Sequence, residues 1–443
     1  MNRRPEISER KFTSNAVENL ITEVKSVVKD KEIADLFENC YPNTLDTTVS
    51  YSKNNGIADT FVITGDIEAM WLRDSSAQVN PYLHLLNEDN NLKDMVKGLI
   101  NRQAACILLD PYANAFTLNS NESPWAGDLT EMKQGVFERK WEIDSLCYPV
   151  RLAYKYWKLT GDSSCFGDDW KKAAELIYKT FKEQQRFNDR GPYKFGRITG
   201  WSTDTVPGNG YGNPINPVGL VVSVFRPSDD ATIFPFLIPA NLYITVILKK
   251  ISEIFNEVYN DAEFASLCSL FAGELQACIN EYAVCDKKGY GKIYAYETDG
   301  FGNHLFMDDA NIPGLLALPY LECCSIDDEV YQNTRRFLLS KNNPYFFSGR
   351  AAEGIGSPHT LTDKIWHIGI ITRAITSKDD TEIIACLKML KSTHNGTGFM
   401  HESFDKNDAG DFTRKWFAWA NSYFGELILK LFYEKPALLQ REF

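Results

Sequence analysis

No run of eighteen apolar residues occurs in the chain, so no membrane-spanning helix is expected. The N-terminus, Met1-Asn-Arg-Arg-Pro-Glu-Ile-Ser-Glu-Arg10, lacks the apolar stretch of a secretory leader. The ten cysteines are scattered, with only Cys323 and Cys324 adjacent, and no Cys-x-x-Cys or cysteine–histidine zinc spacing is present. Buried, reduced thiols in a cytoplasmic protein are the expectation. The histidines (His84, His304, His359, His367, His394 and His401) show no His-Glu-x-x-His pattern, and Asp308-Asp309 lacks the alternation of a calcium loop. No Gly-x-Ser-x-Gly elbow, P-loop lysine or dinucleotide fingerprint follows a strand, so neither metal nor cofactor is expected. Positive charge is also short. With 47 Lys and Arg against 59 Asp and Glu, the net charge of -12 argues against nucleic acid and anionic membrane as partners.

Aromatic residues are plentiful: 9 Trp, 21 Tyr and 27 Phe suit a carbohydrate enzyme and equally suit a large core. The most informative stretch is Thr60 to Val79. Phe61-Val62-Ile63 reads as a strand, Thr64-Gly65-Asp66 breaks it, and Trp71-Leu-Arg-Asp-Ser-Ser76 leads into a helix-permissive run. Asp74, Ser75 and Ser76 are N-cap residue types. A planar apolar face beside a bidentate donor and a carboxylate suits a sugar; the same residues also read as a capped helix with an Arg–Asp pair.

Around this stretch the chain reads as helix after helix. Val17, Leu20, Ile21, Val24, Val27 and Val28 predict a helix within 15–38 that starts at Asn15 and Glu18. Further helices are expected over 92–107, after Gly167, and over Ile244 to Val258. Tyr294 to Phe306 reads as a hairpin about Asp299-Gly300. Two long polar segments, about 110–140 and 185–217, read as loops, and a loop as long as the first is usually functional or disordered. Trp141-Glu-Ile-Asp-Ser145 repeats the spacing of Trp71-Leu-Arg-Asp-Ser75. Such clusters recur near residues 71, 141, 226, 307, 359–366 and 416, each ahead of an apolar helical run such as Leu315–Leu321. One helical hairpin fits each interval. Six hairpins in a ring make an all-α (α/α)6 barrel, with short β-hairpins and long loops at one rim where the polar clusters meet. A bundle with unrelated loops fits the same periodicity. No Pro/Ser-rich linker interrupts the chain, so 1–443 is expected to be one domain.

Glycosidic hydrolysis without a metal needs two carboxyl groups from separate parts of the chain. Asp229-Asp230, after Arg226-Pro227, is one candidate, because neighbouring acids that are poorly hydrated do not both ionise freely. Ser-Asp-Asp is also an ordinary helix N-terminus. Glu402, in Gly396-Thr-Gly-Phe-Met-His-Glu-Ser-Phe404, is the other.

Gly65-Asp-Ile-Glu-Ala-Met-Trp-Leu-Arg-Asp-Ser-Ser76, Arg226-Pro-Ser-Asp-Asp230, Met307-Asp-Asp-Ala-Asn-Ile-Pro313 and Phe399-Met-His-Glu-Ser403 together resemble glycoside hydrolase family 125. The likeness runs from about residue 12 to 433. It implies an (α/α)6 barrel and a metal-independent, exo-acting α-1,6-mannosidase that inverts the anomeric centre. It implies Asp229 as general acid and Glu402 as general base. Trp71, Arg73, Asp74, Asn311 and His359, with Arg226 and Asp230, are implied as sugar-binding residues. The implied partner is an α-1,6-linked mannoside or an oligosaccharide derived from an N-glycan. An inverting (α/α)6 glycosidase of α-glucosides and a non-catalytic glycan-binding protein are the alternatives.

Overall fold

The computed structural model describes residues 2–119 and 123–443, so Ser120, Asn121 and Glu122 of the expected 110–140 loop lie outside the described residues. In chain order, α1 (Asn15–Val27), α2 (Lys31–Cys40) and the short α3 (Asn43–Thr47) precede the hairpin β1 (Val49–Asn54) and β2 (Ile57–Val62). Then come β3 (Met70–Trp71), α4 (Leu72–Val79), α5 (Asn90–Leu109), β4 (Ala115–Phe116), β5 (Val136–Glu138), α6 (Ile143–Thr160) and α7 (Asp168–Glu183). The middle holds β6 (Phe236–Leu237), α8 (Ile238–Glu257), α9 (Ala262–Tyr282), β7 (Val284–Lys287), β8 (Gly291–Tyr294), β9 (Glu297–Thr298) and β10 (His304–Leu305). Last are α10 (Glu329–Leu338), β11 (Phe346–Ser348), β12 (Glu353–Ile355), β13 (Lys364–Trp366), α11 (His367–Ile375), α12 (Asp380–Thr393), β14 (Ser403–Asp405), β15 (Asp408–Thr413) and α13 (Ala418–Glu434).

The architecture is the expected (α/α)6 arrangement. The inner helices α4, α6, α8, α11 and α13 are buried along most of their length; α4 is so despite a largely polar sequence, with Arg73, Asp74, Ser75, Ser76 and Gln78 inside. α4 packs on α6, α6 on α8, α11 on α13, and α13 back on α4. α5, α7, α9, α12 and the α1–α2 pair bury one face against them and leave the other to solvent. No helix among the described residues is long and apolar enough to cross a membrane.

The two sets of helices start differently. Ser14, Asp30, Asp89, Asp261, Asp328 and Asp379 cap α1, α2, α5, α9, α10 and α12 with their side chains, each worth about 1 kcal/mol. Inner helices have Trp71, Glu142, Leu237, Trp366 and Phe417 at that position, and none caps its own helix. Their first amides bond to neighbouring rim segments instead: Leu72 N donates to Asn114 O, Ile238 N to Tyr296 O, Ala418 N to Thr64 O, and Ile143 N to Ser223 Oγ. The three-stranded sheets β3-β4-β5, β6-β9-β10 and β13-β14-β15 feed β3, β6 and β13 directly into α4, α8 and α11. Each inner start is therefore fixed by another part of the rim, which orients the side chains there.

Several local expectations are corrected. The helix that opens 15–38 does begin at Asn15, but its cap is Ser14 rather than Asn15, and Asp30 caps a second helix within the segment. α4 starts at Leu72, so Asp74, Ser75 and Ser76 lie inside it: Trp71 is held in β3, and Asp74 accepts from Thr64 Oγ1 at 2.7 Å. Leu315–Leu321 forms successive turns rather than an α-helix. Pro313-Gly314 precedes the run and Pro319 interrupts it, and the Asp308 carboxylate accepts Leu315 N and Leu316 N at 2.8 and 2.9 Å. Tyr294 pairs within the β7–β8 hairpin, while β9 and β10 flank Asp299-Gly300 as expected.

Gly65 closes the ring by pairing with Phe417, at φ +130°, and a Cβ there would lie 2.6 Å from Trp416 O. Gly65→Ala should cost about 1–3 kcal/mol in urea denaturation, since both backbone strain and the steric clash oppose it. Unchanged stability would show that this closure is not under constraint.

Candidate active site

Arg226 to Asp230 fold as a three-residue hairpin loop. Arg226 N donates to Asp230 O at 2.8 Å, Asp229 N donates to Arg226 O at 2.9 Å, and Phe225 pairs with Ala231. The last loop residue of this geometry takes a left-handed backbone, a place usually filled by glycine. Here it is Asp229, at φ +65°, a conformation that Asp tolerates better than most residues. The Ser-Asp-Asp sequence is thus not a helix start; the next helix begins only at Ile238.

This loop opens onto a cavity of about 600 Å³ whose walls include Asp229, Asp230, Glu402, Trp71, Arg73, Asp74, Asn311 and His359. These residues come from separate hairpins of the ring. Both long loops contribute walls as well, through Trp125 and Phe137 of the first and Arg197, Trp201 and Asp204 of the second. Arg197 knits the loops together: it bonds Asp128, Glu138 and Asp204 at 2.7 to 3.1 Å and lies 3.7 Å over the Trp125 ring.

Arg226 is placed elsewhere. It is buried behind the loop, its Nε donates to Glu297 Oε1 at 2.6 Å, and it does not line the cavity. Glu297 also accepts Ile233 N and Phe234 N at 3.0 Å, so this pair fixes the chain that carries Asp229. The expectation of Arg226 as a sugar contact is corrected on this ground.

The two neighbouring acids have different surroundings. Asp230 is 2% exposed; its Oδ1 accepts from Thr203 Oγ1 at 2.6 Å and its Oδ2 lies 3.4 Å from His359 Nδ1. The Asp229 side chain is 24% exposed, accepts from Asn114 Nδ2 at 3.0 Å and lies 3.8 Å from Arg73 Nη2. Lys140 Nζ donates to the Asp229 carbonyl at 2.8 Å. Burial alone would raise the Asp229 carboxyl. A hydrogen bond from Glu142 and the charges of Lys140, Arg73 and His359 outweigh burial and hold it well below the usual carboxylate range. Burial likewise opposes charge on His359, but Asp230, then Glu402 and Asp229, raise the imidazole to about 9. Glu402 sits before β14; its Oε2 accepts from Thr413 Oγ1 at 2.9 Å, and its Oε1 is 3.6 Å from Arg414 Nη1.

Arg73 occupies the floor. Its Nη1 donates to Glu142 Oε2 at 2.7 Å and Asp144 Oδ2 at 3.0 Å, and its guanidinium lies 5.8 Å over the Trp419 ring. Trp71 packs edge-on against Phe137, and its Nε1 has no hydrogen-bond partner among the described residues. Asn311 donates its side-chain amide to Asp309 at 3.0 Å. Among the described residues no group of three or more His, Cys, Asp or Glu side chains could hold a metal ion. Glu142, Asp144, Asn114, Lys140 and Arg414 were not singled out from the sequence. For the first two the signal was the repeated Trp-x-x-Asp-Ser spacing, which places Glu142 and Asp144 at the start of the helix beside Arg73.

The profile of the metal-independent α-mannosidases (GH125) matches residues 30–429. The chain is 41% identical to the meiotically up-regulated gene 157 protein of Schizosaccharomyces pombe, over 99% of this chain and 90% of that protein. It is 42% identical, with a TM-score of 0.91, to a metal-independent α-mannosidase of Streptococcus pneumoniae; the match covers 95% of this chain and 99% of that one. That structure is a non-productive substrate complex with α-1,6-mannobiose, described in connection with the processing of N-linked glycans. A bacterial glucoamylase complexed with acarbose shares the fold alone, at 12% identity and a TM-score of 0.52, over 95% of this chain and 59% of that chain.

The His359 imidazole should titrate near pH 9 by NMR, against about 6.5 for an unperturbed histidine. A raised pKa stabilises the fold fully below about pH 6.5 and loses that contribution as pH rises through 9. The stability gap between the native protein and His359→Gln should therefore shrink over that window. A midpoint near 6.5 would contradict the ion pair with Asp230.

Proposed function

The chain belongs to glycoside hydrolase family 125, the metal-independent α-mannosidases, and from that premise we propose that it removes terminal α-1,6-linked mannose with inversion. Asp229 is the general acid that protonates the leaving glycosidic oxygen. Glu402 is the general base that takes a proton from the attacking water. The observation that carries this reading is one cavity that brings a carboxyl from the 226–230 hairpin together with one from the 396–404 segment.

Asp229 is preferred to Asp230 because the oxygens of Asp230 are committed to Thr203 and His359, whereas Asp229 is the more exposed acid. Glu402 suits a base: Thr413 and Arg414 hold its carboxyl group in place at the cavity wall. An inverting pair needs roughly 6.5–9.5 Å between its carboxyl groups to admit the water. The sugar is held by Trp71, Arg73, Asp74, Asn311, Asp230 and His359, with Arg226 supporting the loop from behind. A cavity walled by the two long loops suits release of a chain end rather than cleavage within a chain.

The pneumococcal complex with α-1,6-mannobiose supports the linkage, and its connection with N-linked glycans suggests an N-glycan-derived oligosaccharide as substrate. We assign the whole of 1–443 to one catalytic domain. The cytoplasm is the proposed compartment, in keeping with ten free cysteines.

Asp229→Asn and Glu402→Gln should each lower turnover of α-1,6-mannobiose by about 10²–10⁴-fold. Asn tolerates the left-handed backbone at 229, so that variant keeps the loop. Activity in a chelator should equal that without, and isomaltose should not be cleaved. Full activity in both variants would defeat the assignment, and preference for isomaltose would transfer the protein to the α-glucosidases.

A further inference from the structure

Glu142 stands directly behind the proposed acid, and its side chain is fully buried. Its Oε2 accepts from Arg73 Nη1 at 2.7 Å and from Ser145 Oγ at 3.1 Å. Its Oε1 lies 3.5 Å from Asn114 Nδ2. That nitrogen also faces Asp229 Oδ1 at 3.0 Å and Glu138 Oε2 at 3.1 Å. One amide nitrogen has two hydrogens, so it cannot serve three carboxylate oxygens at once. The shared Asn114 amide and Arg73 hold the Glu142 and Asp229 carboxyl groups close together. Two neighbouring, poorly hydrated carboxyl groups with too few donors between them do not both stay ionised, so one of them carries a proton.

The surrounding charges decide which. Glu142 faces Arg73 from α4, Asp144 from its own helix, Asp229 from the loop, and Glu138 across the Asn114 amide. Its one close cation, Arg73, is shared with Asp144 and also pairs with Asp74 at 3.4 Å. Asp229 has three cations about it, Lys140, Arg73 and His359, with Asp74 as a further acid nearby. Burial, with the Asp229 charge added, pushes Glu142 well above the usual carboxylate range, although Arg73 opposes this. The resting proton therefore belongs on Glu142, which leaves the proposed acid ionised and in need of a proton source.

We propose that Glu142 is the positioning residue that stores the proton for acid catalysis: protonated in the free enzyme, it hydrogen-bonds to ionised Asp229 and hands its proton forward when the glycosidic bond breaks. This rests on the reading of Asp229 as the acid. In a turnover the Glu142 O–H bond breaks as an Asp229 O–H bond forms, and the Asp229 proton moves to the glycosidic oxygen. The anomeric C–O bond breaks with its electron pair on that oxygen. Water adds to the anomeric carbon and its second proton goes to Glu402. Glu402 releases that proton to solvent and the Glu142–Asp229 pair takes one back, so the enzyme ends as it began. The two carboxyls titrate as one unit.

Glu142→Gln keeps a donor toward Asp229 but has no proton to pass on. It should lower kcat/KM on α-1,6-mannobiose by about 10²–10⁴-fold, and far less on α-mannosyl fluoride, whose leaving group needs little protonation. The basic limb of the mannobiose pH profile should move to lower pH, because the remaining proton site is Asp229 alone. Asp229→Asn should show the same split between substrates. If Asp229→Asn splits the substrates and Glu142→Gln does not, the storage role is overturned while Asp229 stands as the acid. If neither does, the assignment of the acid itself fails. Equal loss on both substrates in Glu142→Gln, with an unmoved pH profile, reduces Glu142 to a structural part and overturns the proposal. The unaltered enzyme gives a second test. At neutral pH its infrared spectrum should hold a protonated-carboxyl band that shifts when glutamate alone is ¹³C-labelled. Absence of that band would overturn the proposal even if the variant does not fold.

Discussion

The guanidinium of Arg73 is buried between the starts of two neighbouring inner helices, and the placement of the acids follows from it. On α4 it reaches across to Glu142 and Asp144 at the start of α6, and on its other side it faces Asp74 and Asp229. A cation with 4% of its side chain exposed is tolerable only among acidic groups, and the ionised ones are tolerable only around it. Removing Arg73 leaves buried negative charge uncompensated, a cost of the order of 3–5 kcal/mol. The ion cluster thus locks two hairpins in register and sets the field in which Asp229 operates.

The same economy governs the inner helices. Outer helices other than α7 satisfy a first-turn amide with their own Ser or Asp cap. The inner ones leave that to neighbouring rim segments and place Trp71, Glu142, Trp366 or Phe417 at the cap position. An aromatic or acidic residue that does not cap is free to line the cavity or hold a neighbour, as Trp71 and Glu142 do. Each rim therefore depends on its neighbours, and strain such as the left-handed backbone at Asp229 persists because the surroundings fix it.

Much of this was legible in the sequence where the signal is local. Trp71-Leu-Arg-Asp-Ser and Trp141-Glu-Ile-Asp-Ser mark real helix starts, and the two loops too long for connectors do wall the cavity. What failed was decided at a distance. Asp74 reads as a cap, yet Thr64 and the fixed position of Trp71 put it inside the helix. Arg226 reads as a sugar contact, yet a buried glutamate 71 positions on claims it. Leu315–Leu321 has helical apolarity, but Pro319 and the carboxylate of Asp308 leave it as turns. Glu142 looked like any residue ahead of a helix, because its meaning lies in Arg73 from the previous hairpin and Asp229 from the next.

The central claim is that a water molecule guided by Glu402 attacks the mannosyl carbon opposite the bond that Asp229 protonates, with no enzyme-bound intermediate. Proton NMR of the sugar first released from α-1,6-mannobiose tests this most directly, because the anomers are read before they equilibrate. The account predicts β-mannose as the first product; α-mannose would contradict it.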